Sequence, residues 1–238
     1  MIFQIHFVDE PSLGKSLVGV TCAVEMAIAG VKPKGIARLD LHLVSGDIES
    51  TTGSNNKVLD IHSGIDYDRL RKQDEGTVEY FFDVAFEALL DALPEWSNEL
   101  NDAWTYIKAS RYRPTYLLWK KKHGSALHQI TIQFCLSCAA LYHKTISATG
   151  DRRRDKVMDV HPSSIIYSML FNSFALTDDG IVVSSDPIIP RSFVILNGEE
   201  GLRSIGAGPN AWDEWSLLLA EYVACGTSNE RRLAIINS

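Results

Sequence analysis

The chain has 238 residues, of which 45% are hydrophobic and 22% are charged, a balance typical of globular proteins and unlike that of disordered or fibrous chains. Its net charge of -7 at pH 7 gives no overall attraction to nucleic acid. Residues 1–8 lack the basic flank and apolar run of a signal peptide, and no stretch reaches the roughly 20 apolar residues that span a bilayer. We therefore expect a cytoplasmic protein without a membrane segment, whose four cysteines are reduced.

The first part of the chain predicts a strand, a helix and two further strands. Residues 2–8 alternate between apolar and polar, and residues 13–28 carry apolar side chains at helical spacing. Alternation returns in residues 38–43 and 59–62, which a polar loop over 46–57 separates. If these two strands pair as a hairpin, their polar side chains lie on the same exposed face.

The remainder predicts helices and strands in mixed order. The expected elements are helices over 78–93 and 98–110, a hairpin of 116–122 with 128–134 that turns at His123 and Gly124, a polar linker over 148–156, a helix beginning at Pro162, strands over 181–183 and 193–196, a helix over 212–223 and an edge strand over 233–236. This order favours an α+β fold, a mixed or antiparallel sheet with packed helices in a single compact domain over 1–238, with a subdivision near 148–156 left open.

Charge is segregated along the chain. Residues 73–107 contain nine acids and no base, whereas residues 108–158 contain eleven bases and two acids. Like charges four residues apart weaken an isolated helix by about 0.2–0.5 kcal/mol per pair. Either a basic partner docks on this acidic row, or the basic block that follows neutralises a solvated helix face. The candidate partner-binding residues are Glu75, Glu79, Asp83, Glu87, Asp91, Glu95 and Glu99.

A second pattern places an aspartate two residues before a histidine. Its three copies are Asp40 with His42, Asp60 with His62, and Asp159 with His161. Residues two apart on a strand share one face, and carboxylates beside imidazoles can ligate a divalent transition metal or act as a general base. Ordinary polar residues on an exposed strand face explain the first two copies equally well, and a helix cap before Pro162 explains the third. The sequence alone assigns no catalytic residue, no metal ligand and no cofactor.

Cys135 and Cys138 have the spacing of a redox Cys-x-x-Cys pair that opens a helix, here one through 139–141. The residues around them are apolar, and no basic side chain is adjacent to either thiol. We therefore predict buried, inert thiols.

The basic block interleaves cations with aromatic residues, an arrangement that can hold phosphates and stack bases. Its members are Lys108, Arg111, Arg113, Lys120–Lys122 and Arg152–Arg154, beside Tyr112, Tyr116 and Trp119. No nucleic-acid-binding motif frames them, and neutralisation of the acidic helix is a simpler role.

The sequence contains no Gly-rich phosphate loop, nucleophile elbow or kinase signature. We therefore expect a non-catalytic protein-binding module whose acidic helix surface masks a basic protein partner, such as an immunity protein that inhibits a nuclease-like toxin. The alternatives are a metal-dependent hydrolase that uses the Asp-x-His pairs and a nucleic-acid-binding protein that uses the basic block over 108–158.

Overall fold

The structure, a computed structural model, describes residues 2–160, 173–177, 180–184, 192–196 and 202–205. The helices in these ranges are α1 (Leu13–Ser16), α2 (Val18–Ala27), α3 (Tyr67–Arg71), α4 (Glu75–Ala92) and α5 (Ser97–Ala109). The strands are β1 (Ile2–Phe7), β2 (Arg38–Ser45), β3 (Thr51–Asn55), β4 (Val58–Ile65), β5 (Thr115–His123), β6 (Ala126–Phe134), β7 (Ala139–Ile146), β8 (Arg152–Val160), β9 (Ser173–Thr177), β10 (Gly180–Ser184), β11 (Ser192–Leu196) and β12 (Leu202–Ile205).

These elements confirm the predicted α+β class, because helices pack beside one mixed sheet and an antiparallel sheet is also present. The chain forms two compact units. One consists of the residues up to Tyr116 together with Gln133–Ala139, and the other of Leu117–Ile132 with the described residues from Ala140 onward. The extent of the domain over 1–238 stays a prediction. No helix in the described ranges is long and apolar enough to cross a membrane.

The first unit contains a four-stranded sheet in the order β1-β2-β4-β3. Strands β1, β2 and β4 run parallel, and β3 runs antiparallel to β4. The predicted hairpin of β2 with β4 is therefore wrong. Instead, part of the expected loop forms β3, and the turn at Asn56 and Lys57, both with positive φ (47° and 67°), returns the chain into β4. Two consecutive residues with positive φ suit the right-handed twist of a two-residue hairpin.

One face of this sheet is apolar and packs on helices. Leu39, Leu41 and Ile61 are completely buried on it, and the Phe7 ring lies 6.1 Å from the Phe81 ring of α4. Burial of each such side chain is worth about 1.5–3 kcal/mol relative to exposure. The apolar stripe of α4 thus covers this face, and the acidic residues of α4 lie around the remaining circumference of the helix.

Helix α4 begins at a complete capping box. The Asp74 carboxylate accepts a hydrogen bond from the Thr77 backbone N–H at 2.7 Å, and the Asp74 N–H donates to the Thr77 hydroxyl at 3.2 Å. This backbone hydrogen bond is the main reason that the pKa of Asp74 is lowered. Because the reciprocal bonds satisfy two backbone donors, they fix the point at which the acidic helix starts.

The second unit includes most of a sheet in the order β5-β6-β7-β8 and an antiparallel sheet in the order β12-β11-β10-β9. The predicted hairpin is confirmed, because β5 and β6 are neighbouring strands, but its turn lies at Gly124 and Ser125, one residue later than expected. The predicted linker over 148–156 is wrong, since β8 begins at Arg152, and the predicted helix over 139–141 is wrong, since β7 begins there. The expected strands over 181–183 and 193–196 are confirmed as β10 and β11.

Several predictions fall on other parts of the chain. The helix beginning at Pro162, the helix over 212–223 and the strand over 233–236 lie outside the described residues.

Strands β6 and β7 each contribute one histidine to a close pair. His128 Nδ1 lies 3.1 Å from His143 Nε2, and the two rings stack with centroids 5.3 Å apart. Burial, and then the charge of the neighbouring imidazole, lower the pKa of His143, which the Asp155 carboxylate only partly counteracts. Burial and the charge of His123 lower the pKa of His128. The folded state therefore favours the neutral pair.

We predict that this pair makes the protein less stable in mild acid. Because both pKa values are lower in the folded chain, the unfolded chain binds more protons below about pH 6.5, so the free energy of unfolding falls as the pH drops through that value. Denaturant unfolding of His143→Gln at about pH 7.5 and about pH 5.5 should show a weaker pH dependence than that of the original protein. A pKa of His143 above about 6.5, measured by NMR titration, would contradict this expectation.

Candidate functional site

The face of the first sheet that lies opposite the helices carries a row of three histidines. The parallel register places His6 of β1, His42 of β2 and His62 of β4 side by side. Their rings stack, with centroids 4.9 Å apart between His6 and His42 and 4.6 Å apart between His42 and His62. The same register sets Asp40 opposite Asp60. A shared face for the two Asp-x-His pairs was expected, and parallel pairing brings it about.

Asp40, His42 and Asp60 offer ligand atoms that all lie within 4.8 Å of one another. His42 Nε2 is 3.1 Å from Asp60 Oδ1. The side chain of Asp40 is only 1% exposed, whereas those of His42 and Asp60 are 24% and 36% exposed. The three groups therefore form a cluster in which Asp40 is shielded from solvent and Asp60 is accessible to it. We call these three residues the Asp/His cluster.

Arg38 neutralises the buried carboxylate of this cluster. Its Nε lies 2.9 Å from Asp40 Oδ1 and 2.7 Å from Asp40 Oδ2, and its Nη2 also contacts Oδ2. This hydrogen bond, together with the charge of Asp40, raises the pKa of Arg38. An ionised carboxylate has about four lone-pair sites, so the guanidinium leaves part of Oδ1 available to a further partner.

His6 faces the same carboxylate oxygen without binding it. His6 Nε2 lies 3.7 Å from Asp40 Oδ1, and this nitrogen is buried without a hydrogen-bond partner among the described residues. A buried polar atom that lacks a partner costs about 1–3 kcal/mol. His6 Nε2 and Asp40 Oδ1 thus face each other beside the Asp/His cluster at a distance longer than a hydrogen bond.

Of the third Asp-x-His copy, only the aspartate lies in the described part of the chain, and it is on another sheet. Asp159 belongs to β8 and pairs with the Lys156 ammonium at 2.7 Å. Its histidine, His161, lies outside the described residues.

The first half of the acidic row has partners within the first unit. These are Arg113 with Glu75 at 3.1 Å, Tyr112 with Glu79 at 2.9 Å and Trp104 with Asp83 at 3.1 Å. At this end of α4 the basic block thus neutralises Glu75 through Arg113, while Glu79 and Asp83 accept hydrogen bonds from neutral side chains. An exposed pair such as Arg113 with Glu75 contributes little stability by itself.

The second half of the acidic row is more open. Glu87 and Asp91 are exposed on α4 and make no ion pair within the described part of the chain. Glu95 and Glu99 follow Pro94 and line a cleft of about 610 Å³ that also includes Lys32 and Lys34. The seven predicted partner-binding residues therefore do not form one uniform ridge.

The predictions that all four cysteines are reduced and that Cys135 and Cys138 are both buried are wrong. Cys135 and Cys138 form a disulfide in the turn between β6 and β7. Cys138 is exposed and Cys135 is half-buried. The apolar residues on both sides belong to strands whose own side chains are buried, so they do not cover the turn itself.

The basic block is divided between strands at opposite edges of one sheet. Lys120–Lys122 lie on β5 and Arg152–Arg154 on β8, the two outer strands of the order β5-β6-β7-β8. The Arg154 guanidinium lies 3.7 Å from the centre of the Tyr142 ring, and Arg153 pairs with Asp155 at 2.7 Å. Nucleic-acid binding by this block stays an untested alternative.

Two residues of the site were missed in the sequence. Arg38 precedes Asp40 by two positions, and strand alternation alone could have placed it on the same face. His6 is aligned with His42 only through the parallel pairing of β1 with β2, which no local pattern specifies.

Comparisons with protein-family models, with curated proteins and with solved structures found no match to this chain. The geometry of its own residues therefore carries the functional argument.

We predict that Tyr112 remains a neutral hydrogen-bond donor to the acidic row well above the usual pH range of a phenol. Burial and the hydrogen bond to Glu79 raise the pKa of Tyr112 to about 12. At about pH 11 an unperturbed phenol is mostly ionised, whereas Tyr112 should remain mostly protonated. The absorbance difference between the original protein and Tyr112→Phe measures this group alone. Glu79→Gln should lower the pKa, and equal ionisation of Tyr112 in both backgrounds would contradict the proposed contact.

Proposed function

We propose that the protein binds a divalent transition metal at the Asp/His cluster, and that this ion supports hydrolysis. The observation that carries the proposal is the convergence of Asp40, His42 and Asp60 from two parallel strands, with their ligand atoms within 4.8 Å of one another. Catalytic zinc sites use three protein ligands from imidazole and carboxylate groups and keep a fourth position for water. One imidazole and two carboxylates also suit Mn²⁺.

Access to solvent favours a catalytic role of the ion over a purely structural one. His42 and Asp60 are partly exposed, so a substrate could reach an ion on that side of the cluster. A bound divalent ion would lower the pKa of its water and supply the nucleophile. His62 stacks on His42 and is exposed, which places a second imidazole beside the open side, where it could accept or deliver a proton.

The positive charge of Arg38 lowers the affinity of the Asp/His cluster for a divalent cation. Its guanidinium already neutralises Asp40, so the three ligands and Arg38 together carry a charge of only about -1 when His42 is neutral. Arginine is also a repulsive neighbour for a divalent cation. We therefore propose moderate affinity that depends on the position of Arg38.

A second candidate function is recognition of a basic protein by the open half of the acidic row. Glu87 and Asp91 are exposed, and Glu95 and Glu99 continue onto the next segment beside Lys32 and Lys34. Charged surfaces of this kind increase the rate of association and favour partners of opposite charge. An immunity protein that masks a basic toxin remains the concrete form of this proposal.

We predict stoichiometric binding of Zn²⁺ or Mn²⁺, measured by calorimetry on metal-stripped protein. His42→Ala and Asp60→Asn should each weaken binding at least tenfold, because each removes one ligand or its charge. Arg38→Gln should strengthen binding several-fold, since a positive charge near the ion is removed.

The matched control is His123→Ala, which removes an exposed histidine from the end of β5 and should leave the affinity unchanged. Circular dichroism would verify that each variant is folded. No metal uptake by the folded original protein, or equal loss of affinity in the control, would exclude this site.

For the acidic surface, we predict that changing Glu87, Asp91, Glu95 and Glu99 together to their amides slows association with a basic partner and reduces its salt dependence. A pull-down from the source cell would supply the partner, and surface plasmon resonance at two salt concentrations would measure the rate.

The control changes four acids outside the acidic row of candidate residues, Asp47, Glu49, Asp68 and Asp102, in the same way, so that the net charge is matched. Equal slowing by both sets would show only a general charge effect and would count against a defined docking surface.

A further inference from the structure

The turn that carries Cys135 and Cys138 is hydrogen-bonded to the first turn of helix α2. The Leu136 carbonyl, between the two cysteines in sequence, accepts hydrogen bonds from the N–H groups of Gly19 at 3.1 Å and Val20 at 3.3 Å. Both donors belong to the first turn of α2, whose N-cap side chain provides no hydrogen bond. The backbone of the cysteine turn therefore replaces the missing cap.

The fit between this turn and α2 depends on a glycine. A β-carbon at Gly19 would lie 2.1 Å from the Cys135 carbonyl oxygen and 2.8 Å from that of Cys138. Two backbone carbonyls can approach the helix this closely only because residue 19 has no side chain. The helix and the cysteine turn are thus matched to each other through backbone atoms.

The disulfide itself closes this turn. The Cys135 N–H donates to the Cys138 carbonyl at 2.9 Å, and the two α-carbons lie 5.3 Å apart, within the usual range for bridged cysteines. Cys138 is exposed, whereas Cys135 is half-buried. An external thiolate therefore has access to the sulfur of Cys138 and less access to that of Cys135.

We propose that Cys135 and Cys138 form a thiol–disulfide exchange site for a small-molecule thiol such as glutathione, and that its redox state controls the cap of helix α2. The external thiolate attacks Cys138 Sγ, the bond between the two protein sulfurs breaks, and Cys135 leaves as a thiolate that takes up a proton. A second external thiol then attacks the mixed disulfide and releases Cys138. The protein disulfide gains two electrons, and the two small thiols are oxidised to their own disulfide.

The lower exposure of Cys135 favours its role as the leaving group, because the external thiolate attacks the more accessible sulfur of Cys138. The first turn of α2 presents backbone N–H groups and the positive end of the helix dipole to the turn that contains Cys135. Reduction also removes the covalent closure of the turn, so the Leu136 carbonyl is held less firmly against Gly19 and Val20.

The exchange reaction can be measured on the native full-length chain. The protein is equilibrated in buffers of different ratios of reduced to oxidised glutathione, alkylated and digested with trypsin. Cleavage after Lys122 and Lys144 yields one peptide that contains both cysteines of the turn and neither of the other two. We expect this peptide to change reversibly between no label and two labels as the ratio changes. A pair that reacts only after denaturation, or that never forms a disulfide, would overturn the exchange site.

Hydrogen exchange tests the coupling to α2 separately. The amides of Gly19 and Val20 should exchange several-fold faster in the reduced protein and in Cys138→Ser than in the oxidised protein. Ser137→Ala, in the same turn, is the control and should behave as the oxidised protein does. Equal exchange rates in the two redox states would overturn the coupling.

Discussion

Parallel pairing of β1, β2 and β4 is the constraint on which the rest of the first unit depends. The backbone hydrogen bonds hold these strands in a register that sets His42 between His6 and His62 and Asp40 beside Asp60. A shift of one residue would move every side chain of a strand to the other face. The apolar contacts of Leu39, Leu41 and Ile61 with the helical layer therefore also fix the polar groups on the reverse side. Packing of the core and alignment of the candidate ligands are consequences of the same register.

Charged side chains of the first unit lie in two different environments, the polar face of the sheet and the surface of helix α4. Asp40 is buried and needs a counter-charge, which Arg38 provides from the same strand. The acidic residues of α4 lie on a helix surface, where one ion pair with Arg113 and a hydrogen bond from Tyr112 are sufficient because water screens the remaining charge. A buried carboxylate therefore requires a paired cation, whereas an exposed carboxylate does not. This difference explains why a compact ion pair occurs on the sheet, whereas Glu87 and Asp91 make no ion pair with any residue that the structure describes.

Local sequence patterns predicted much of this fold. Period-two alternation located β2 and β4, and helical spacing located α4 and α5, because each pattern reports burial on one face. Strand β3 was not predicted, because Thr51–Asn55 is exposed throughout and has no apolar alternation. The direction in which β2 pairs with β4 depends on that unseen strand. The alignment of His6 and the disulfide of Cys135 with Cys138 also require contacts between segments that no local pattern encodes.

The hairpin of β3 with β4 implies an order of assembly for the sheet. A two-residue turn joins these strands, and hairpins of this kind form in about 1–10 μs. Pairing of β2 with β4 must close a longer connection, which carries a larger entropy cost. We therefore expect Asp60 and His62 to be positioned early in folding, and Asp40 and His42 to join them only when β2 docks. An ion held by both strands would consequently be bound after the slow step of folding, and it would prolong the lifetime of the folded sheet without accelerating its formation.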